Sequence, residues 1–303
     1  MKNLLLTGAF SYSETQIEQL RQLGYSVTFV QDEREPLEID CSLFEAVVCN
    51  GLFLYNNIEK FTSLKFIQAT SAGLDRLPLE NIRKRNIVLK NAKGVYSIPM
   101  AEWCMCQILS VYKCAEFFRE NQKQRKWIKN RNLRELNGST ASIIGFGSVG
   151  SETAKRLAAF GVKIIAVSRS CPKYSNYDIY IRSSDMETAL IQSDIVILTL
   201  PLSKETYHLF NENYLSKIKQ GGILVNLSRG AVIDEKALVQ CLNSGHLGYA
   251  VLDVFEQEPL DRTNELWNRN NVLISPHNSF VSDKNNERMF RLIYRNLREI
   301  QQL

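Results

Sequence analysis

Ala141-Ser-Ile-Ile-Gly145-Phe-Gly147-Ser-Val-Gly150 carries the reading of the fold. It opens as an apolar strand, and its glycines then follow at the spacing G-x-G-x-x-G. Residues 149–160 continue with helical periodicity and end at Gly161. Strand, glycine turn and helix in that order are the context in which this spacing has physical meaning. Gly145 permits the tight turn, Gly147 lets backbone N–H groups approach a pyrophosphate, and Gly150 lets helix and strand lie close together. The helix start adds unpaired donors and the positive end of its dipole, both suited to an anion, and Ser148 and Val149 sit there. The pattern predicts a parallel α/β domain that holds a dinucleotide.

Outward from this turn the same unit recurs. Apolar runs at residues 163–167, 194–200, 222–227, 249–254 and 271–275 alternate with helical stretches. They lack strict alternation, as expected of parallel strands covered on both faces. The first third repeats the scheme in strands at 3–6, 27–30, 46–49, 66–69 and 87–89, with a helix at 13–23. Its Thr7-Gly8 follows a strand without repeated glycines, which argues against a nucleotide there. Ser97-Ile98-Pro99 opens an apolar-periodic segment read as one helix over 100–118, with the proline in a tolerated first-turn position. Cys104 and Cys106 read as buried residues of that helix. Residues 283–303 read as a last helix that crosses back to the first domain.

At 303 residues and 45% hydrophobic content, the chain is long enough for two domains with separate cores. No apolar run approaches the roughly 18 residues a spanning helix needs, and the N-terminus lacks a signal-peptide pattern. The seven cysteines include no C-x-x-C pair, so neither a disulfide framework nor a thiolate metal site is expected. Net charge is a mild +5, and the densest basic cluster, residues 123–134, reads as a solvated helix face rather than a nucleic-acid stripe. The expectation is a cytoplasmic chain without membrane, nucleic-acid or metal partners.

About 20 residues after the glycine turn, an acidic side chain would ordinarily bind the adenosine ribose. Here the strand runs into Ser168-Arg169-Ser170, with Lys173 behind. A guanidinium between two hydroxyls suits a 2′-phosphate, so the reading favours NADP over NAD. An arginine stacked on the adenine is the alternative, and it leaves the cofactor choice open.

Reduction of a carbonyl by hydride requires a proton donor, and histidine is the side chain whose unperturbed pKa lies near neutrality. His246 falls in a polar turn and reads as a surface residue. His208, in a loop after a strand, reads as a loop anchor. His277 follows the last strand directly, at the sheet edge where ligands of open α/β sheets gather. Arg229 and Glu258 follow the two preceding strands. The arginine can grip a carboxylate through a bidentate fork, and a carboxylate beside His277 would fix its tautomer.

With these residues in view, the sequence resembles the D-2-hydroxy acid dehydrogenase family along essentially its whole length. The matching stretches are Thr70-Ser-Ala-Gly-Leu-Asp75, Asn91 to Glu102, the glycine turn, Pro201 to Phe210, Asn226 to Leu238, Leu252 to Pro259 and Ser275-Pro-His277. The resemblance implies two doubly wound parallel-sheet domains: a flavodoxin-like substrate domain at 1–96 and 283–303, and a Rossmann cofactor domain at 97–282. It implies a homodimer built through the cofactor domains, with a small 2-oxo acid or 2-hydroxy acid as partner molecule. It implies that Arg229 binds the substrate's carboxylate and carbonyl, that His277 protonates the carbonyl oxygen, and that Glu258 supports His277. Backbone donors near Ala72 and Gly73 would take the carboxylate, and Asp253 would hold the nicotinamide carboxamide. Leu200, Pro201, Thr206, Leu227 and Ser228 would line the cofactor cleft.

The sequence also departs from the family pattern. NAD-using members usually carry an acid where this chain reads Ser168-Arg169. Asn278-Ser-Phe280 replaces the small residues common after the histidine. The loop Cys49-Asn-Gly-Leu-Phe-Leu-Tyr55 is apolar, whereas phosphoglycerate-oxidising relatives tend to be basic there, and the chain stops after one helix without a further regulatory domain. Glyoxylate, hydroxypyruvate or a small apolar 2-oxo acid is therefore preferred to 3-phosphoglycerate. A dinucleotide-sensing, corepressor-like dimer is the rival reading. A formate-oxidising relative is disfavoured because those enzymes carry an amide where Glu258 stands.

Overall fold

The computed structural model describes residues 1–301, which divide into two compact units. The first comprises residues 1–96 together with the C-terminal segment from Ser282, and the second runs from Ser97 to Val281.

In the first unit, β1 (Lys2–Thr7), α1 (Glu14–Gln22), β2 (Tyr25–Val30), β3 (Ala46–Cys49), α2 (Leu52–Tyr55), β4 (Phe66–Ala69), α3 (Leu79–Lys84) and β5 (Val88–Lys90) follow one another. Ser13 caps α1: its side chain accepts from the Gln16 N–H while the Gln16 side chain accepts from the Ser13 N–H, so two orphan donors of the first turn are satisfied. The strands form a parallel sheet in the order β2-β1-β3-β4-β5, the flavodoxin-like winding. Successive side chains of a strand point to opposite faces. Accordingly Leu4, Leu6, Val48 and Phe66 join one core, while Leu5, Val47 and Ile67 join another with Phe61 and Ile82. At the β1/β3 crossover, the Glu33 carboxylate accepts from the Thr7 hydroxyl at 2.6 Å and from the backbone N–H groups of Asn50 and Gly51. A side chain of the protein itself thus occupies the donors at this unit's switch point.

The second unit contains α4 (Ser97–Tyr112), α5 (Ala115–Lys123), β6 (Thr140–Ile144), α6 (Ser148–Ala159), β7 (Lys163–Ser168), β8 (Ile179–Arg182), α7 (Met186–Leu190), β9 (Ile195–Leu198), α8 (Glu212–Lys217), β10 (Gly222–Asn226), α9 (Glu235–Asn243), β11 (Leu247–Leu252) and β12 (Val272–Ile274). The strand order β12-β11-β10-β9-β6-β7-β8 is the Rossmann winding, and every pairing is parallel. Ile143, Ile164, Ile197 and Val225 pack on one side with Cys104, Ile108, Ala154 and Leu157 from α4 and α6. Ile144, Ile165, Leu198 and Leu224 form the other core with α7, α8 and α9. The last helix, α10 (Asn285–Gln301), buries Met289, Phe290, Ile293 and Leu297 in the first unit's core.

Four details differ from the sequence expectation. The single helix over 100–118 is two helices, because Cys114 adopts a left-handed backbone (φ 49°) and ends the continuous ladder after α4. Within α4, Cys104 is buried as expected but Cys106 is exposed. The basic stretch 123–134 is not a helix face: α5 stops at Lys123, Arg125 turns left-handed (φ 54°), and an exposed irregular segment follows. Edge strand β8 has no counterpart among the expected runs; it alternates Ile-Tyr-Ile-Arg and is only partly buried, so no continuous apolar run announces it.

Candidate active site

The glycine turn lies where β6 meets α6, at the crossover between β6 and β9. Gly145 has φ +92°, and a Cβ there would lie 2.9 Å from both the Leu200 side chain and the Thr199 carbonyl oxygen. A Cβ on Gly150 would lie 2.9 Å from the Ile143 side chain, so this glycine sets the spacing of helix and strand. Gly147 differs: no atom stands within 4 Å of the position its Cβ would take. It is also the N-cap of α6 and supplies no side-chain cap, leaving the first-turn donors at Ser148 and Val149 without one. An open approach beside uncapped helix donors fits the pyrophosphate of a dinucleotide.

β7 ends at Ser168, whose hydroxyl donates to the Ser170 carbonyl at 2.7 Å, and Arg169 and Ser170 are exposed. The loop after β9 is pinned by Thr206, which donates to the Pro201 carbonyl at 2.7 Å and accepts from the Ser203 N–H at 2.7 Å. On that loop Glu205 titrates below its ordinary value, held there by the Ser203 hydroxyl, its own backbone and then the positive charges of Arg169 and Lys204. Arg169 and this loop therefore share one electrostatic neighbourhood.

Arg229, Glu258 and His277 follow β10, β11 and β12, three neighbouring strands, and so meet one edge of the sheet. His277 Nδ1 and Glu258 Oε2 are 2.8 Å apart, with both side chains a little over one-third exposed. The other Glu258 oxygen accepts from the Phe255 N–H at 3.1 Å. Arg229 donates to the Ser228 carbonyl at 2.8 Å, and its own carbonyl accepts from Asn226, whose side-chain oxygen in turn accepts from the Ser228 N–H and hydroxyl. Leu227 and Ser228 are buried, whereas Leu200 and Pro201 reach solvent. The next residue, Gly230, touches the carboxylate's loop: a Cβ there would fall 1.8 Å from the Phe255 carbonyl carbon.

Asp253 follows β11 directly. It is 1% exposed, and its carboxylate accepts from the Ser275 and Ser279 hydroxyls and the Asn278 and Ser279 N–H groups. Its carbonyl accepts from the His277 N–H at 2.8 Å. These bonds tie the carboxylate to the turn that holds His277 in a left-handed backbone (φ 50°). The serines flanking His277 in the sequence were the available signal. Phe280 stands edge-on to His277, ring centroids 6.0 Å apart. In the first unit, Ala72 is exposed and its carbonyl accepts from Asn91 at 2.6 Å, while the Gly73 carbonyl accepts from the Ser71 hydroxyl at 2.7 Å. His246 bonds the Ile218 carbonyl at 2.7 Å and has a structural role.

Fold and site together define a dinucleotide-dependent α/β oxidoreductase with a histidine–carboxylate pair. The model for the NAD binding domain of D-isomer specific 2-hydroxyacid dehydrogenases matches residues 105–279. A glyoxylate reductase from Thermococcus litoralis is 35% identical over 289 residues, covering 93% of this chain and 81% of the relative. The crystal structure of a glyoxylate reductase from Paecilomyes thermophila superposes with a TM-score of 0.86 at 27% identity, covering 99% of this chain and 95% of the other. A D-isomer specific 2-hydroxyacid dehydrogenase from Xanthobacter autotrophicus Py2, in complex with NADPH and MES, superposes with a TM-score of 0.81 at 25% identity, covering 99% and 95%. The chain belongs to the D-isomer specific 2-hydroxyacid dehydrogenase family and is an NAD(P)-dependent oxidoreductase.

Proposed function

We propose that this chain reduces glyoxylate, hydroxypyruvate or another small 2-oxo acid to the D-2-hydroxy acid, with NADPH preferred to NADH. The observation that carries the reading is the His277–Glu258 bond, set on the same sheet edge as Arg229. Glu258 holds Nδ1, which leaves Nε2 to carry the proton toward the substrate. Arg229 binds the carboxylate and polarises the carbonyl. A dinucleotide held at the glycine turn would supply the hydride that this reduction requires. His277 then gives its proton to the carbonyl oxygen, completing the alcohol.

Arg169 between two serines, with no acid at the end of β7, supports NADPH as the preferred form. Residues 49–55, which run from the end of β3 through α2, carry no cation, which supports a small substrate over a phosphorylated one. In the irregular segment after α5, Trp127 is 97% exposed and Ile128 and Leu133 also reach solvent, apolar surface that supports a homodimer through the second unit. All the cysteines are free and, among the described residues, no helix is long and apolar enough to cross a membrane, in keeping with a cytoplasmic protein.

The test is a paired assay with NADPH and NADH across glyoxylate, hydroxypyruvate, pyruvate and branched 2-oxo acids. Turnover of a small 2-oxo acid with NADPH ahead of NADH is the expected result. Dinucleotide binding without turnover of any of them would move the reading to a sensing dimer, and no dinucleotide binding would overturn it.

A further inference from the structure

A second histidine–carboxylate pair lies beside the first. His208 Nε2 bonds Glu256 Oε1, two residues before Glu258 on the same loop. Its backbone is left-handed (φ 47°), as is that of His277 (φ 50°). A side chain other than glycine holds such a backbone only where its surroundings fix it, and here they do. The His208 N–H donates to the Ala231 carbonyl at 2.8 Å, and the Phe210 N–H to the Val232 carbonyl at 3.0 Å. These bonds stitch the loop after β9 to the segment that follows Arg229. On the other side, the Glu256 N–H donates to Glu235 Oε1 at 2.8 Å, in the first turn of α9. The Tyr207 ring stacks on the imidazole, centroids 4.1 Å apart and 13° from parallel, and covers one of its faces.

His208 therefore joins three segments: the loop with Pro201 and Thr206, the turn after Arg229, and the loop that carries Glu258. We propose that His208 is a positioning residue for the reaction, its bond to Glu256 clamping the cofactor-side loop to the loop that sets Glu258 under His277. The proposal rests on the reading above, in which the 201–209 loop lines the dinucleotide cleft. A fixed loop would hold the dinucleotide and the proton donor in one geometry, where small displacements cost rate steeply.

The experiment is a double-mutant cycle on the full chain with His208→Ala, Glu256→Ala and both together, with His208→Gln as the conservative variant. Readouts are kcat and KM for NADPH, dinucleotide affinity by fluorescence titration, and melting temperature. The expected result for His208→Ala is a KM increase and a kcat decrease of about tenfold in all, the size of coupling usual between contacting residues. The double variant should be no worse than either single one, and His208→Gln, whose amide can still donate to Glu256, should recover most of the loss. Should the alanine variants fail to fold, His208→Asn, whose shorter side chain tolerates the left-handed backbone but does not reach Glu256, runs the same cycle with Glu256→Gln, with non-additivity the supporting result. A lowered melting temperature with kcat and KM unchanged, or additive losses, overturns the proposal. An unaltered chain that binds no dinucleotide defeats the underlying reading instead, whereas an active unaltered chain with an indifferent His208→Ala variant defeats this proposal alone.

Discussion

Glu258 holds His277 with one carboxylate oxygen, 2.8 Å from Nδ1, and is itself held through the other by the Phe255 N–H at 3.1 Å. The carboxylate is thus fixed at both oxygens, and the imidazole inherits that orientation. Asp253 fixes the backbone that carries this imidazole, its carbonyl accepting from the His277 N–H and its carboxylate from the Asn278 and Ser279 N–H groups. Two acids at the end of β11 therefore set one histidine at the end of β12, by contacts that the strand order makes short.

If His277 delivers the proton, His277→Ala should lower kcat by ~10²- to 10⁴-fold, the range usual for general acid catalysis. Dinucleotide affinity should stay near that of the unaltered protein, because no part of the glycine turn changes. Steady-state kinetics beside a fluorescence titration checks both, and turnover within a few-fold of the unaltered protein would remove His277 from the chemistry.

Arg169 lies at the exposed end of β7 and its charge is felt by Glu205 on the facing loop. Arg169→Asp replaces a phosphate-binding cation with a carboxylate suited to ribose hydroxyls. The ratio of kcat/KM for NADPH to that for NADH should fall by about tenfold or more, the effect of removing one charge-assisted contact. An unchanged ratio would show that the 2′-phosphate is recognised elsewhere.

Gly230 has no room for a side chain: its Cβ would fall 1.8 Å from the Phe255 carbonyl carbon, and the nearby atoms are all backbone. Gly230→Ala must push the turn after Arg229 away from the loop that carries Glu258. A loss of about 1–3 kcal/mol in stability is expected from such overpacking, with a fall in kcat that exceeds any change in dinucleotide affinity. Denaturant unfolding and kinetics on the same preparation measure the two effects.

Asp194, just before β9, ties the beginning of β6 to the segment that leads into β10, accepting from Lys219 Nζ at 2.6 Å and from the Thr140 N–H at 2.9 Å. Partial burial raises its carboxyl, but the Lys219 and Thr140 hydrogen bonds and the charges of Lys219 and Arg134 outweigh this and hold it below the ordinary range. A carboxyl that titrates lower folded than unfolded contributes stability above its unfolded value, near 3.9. That contribution is lost as pH falls through the folded value. Asp194→Asn should therefore cost about 1 kcal/mol at pH 7, a modest figure because the pair is partly solvated. The gap from the unaltered protein should close in acid, and unfolding curves at pH 7 and below pH 4 decide it.

The β6 glycine turn and the strands around it were legible in the sequence because their causes are local. Apolar runs form buried parallel strands, and glycines appear where a Cβ would collide, as at Gly145 and Gly150. The histidine, arginine and glutamate could be singled out from their places after successive strands. Their meeting could not, since Glu258 and His277 are brought together only by the pairing of β11 with β12. The break at Cys114 is invisible in the sequence because the apolar period continues through it, and a left-handed residue other than glycine leaves no mark in the pattern. The commitment of Asp253 to the His277 turn and the bond from His208 to Glu256 depend on segments 22–26 and 48 residues apart. Sequence determined which chemistry the chain carries, because local propensity and residue type are written in it. Tertiary structure decided which acid serves which histidine, because a hydrogen bond is set by distance in space, and only the winding of the sheet fixes that distance.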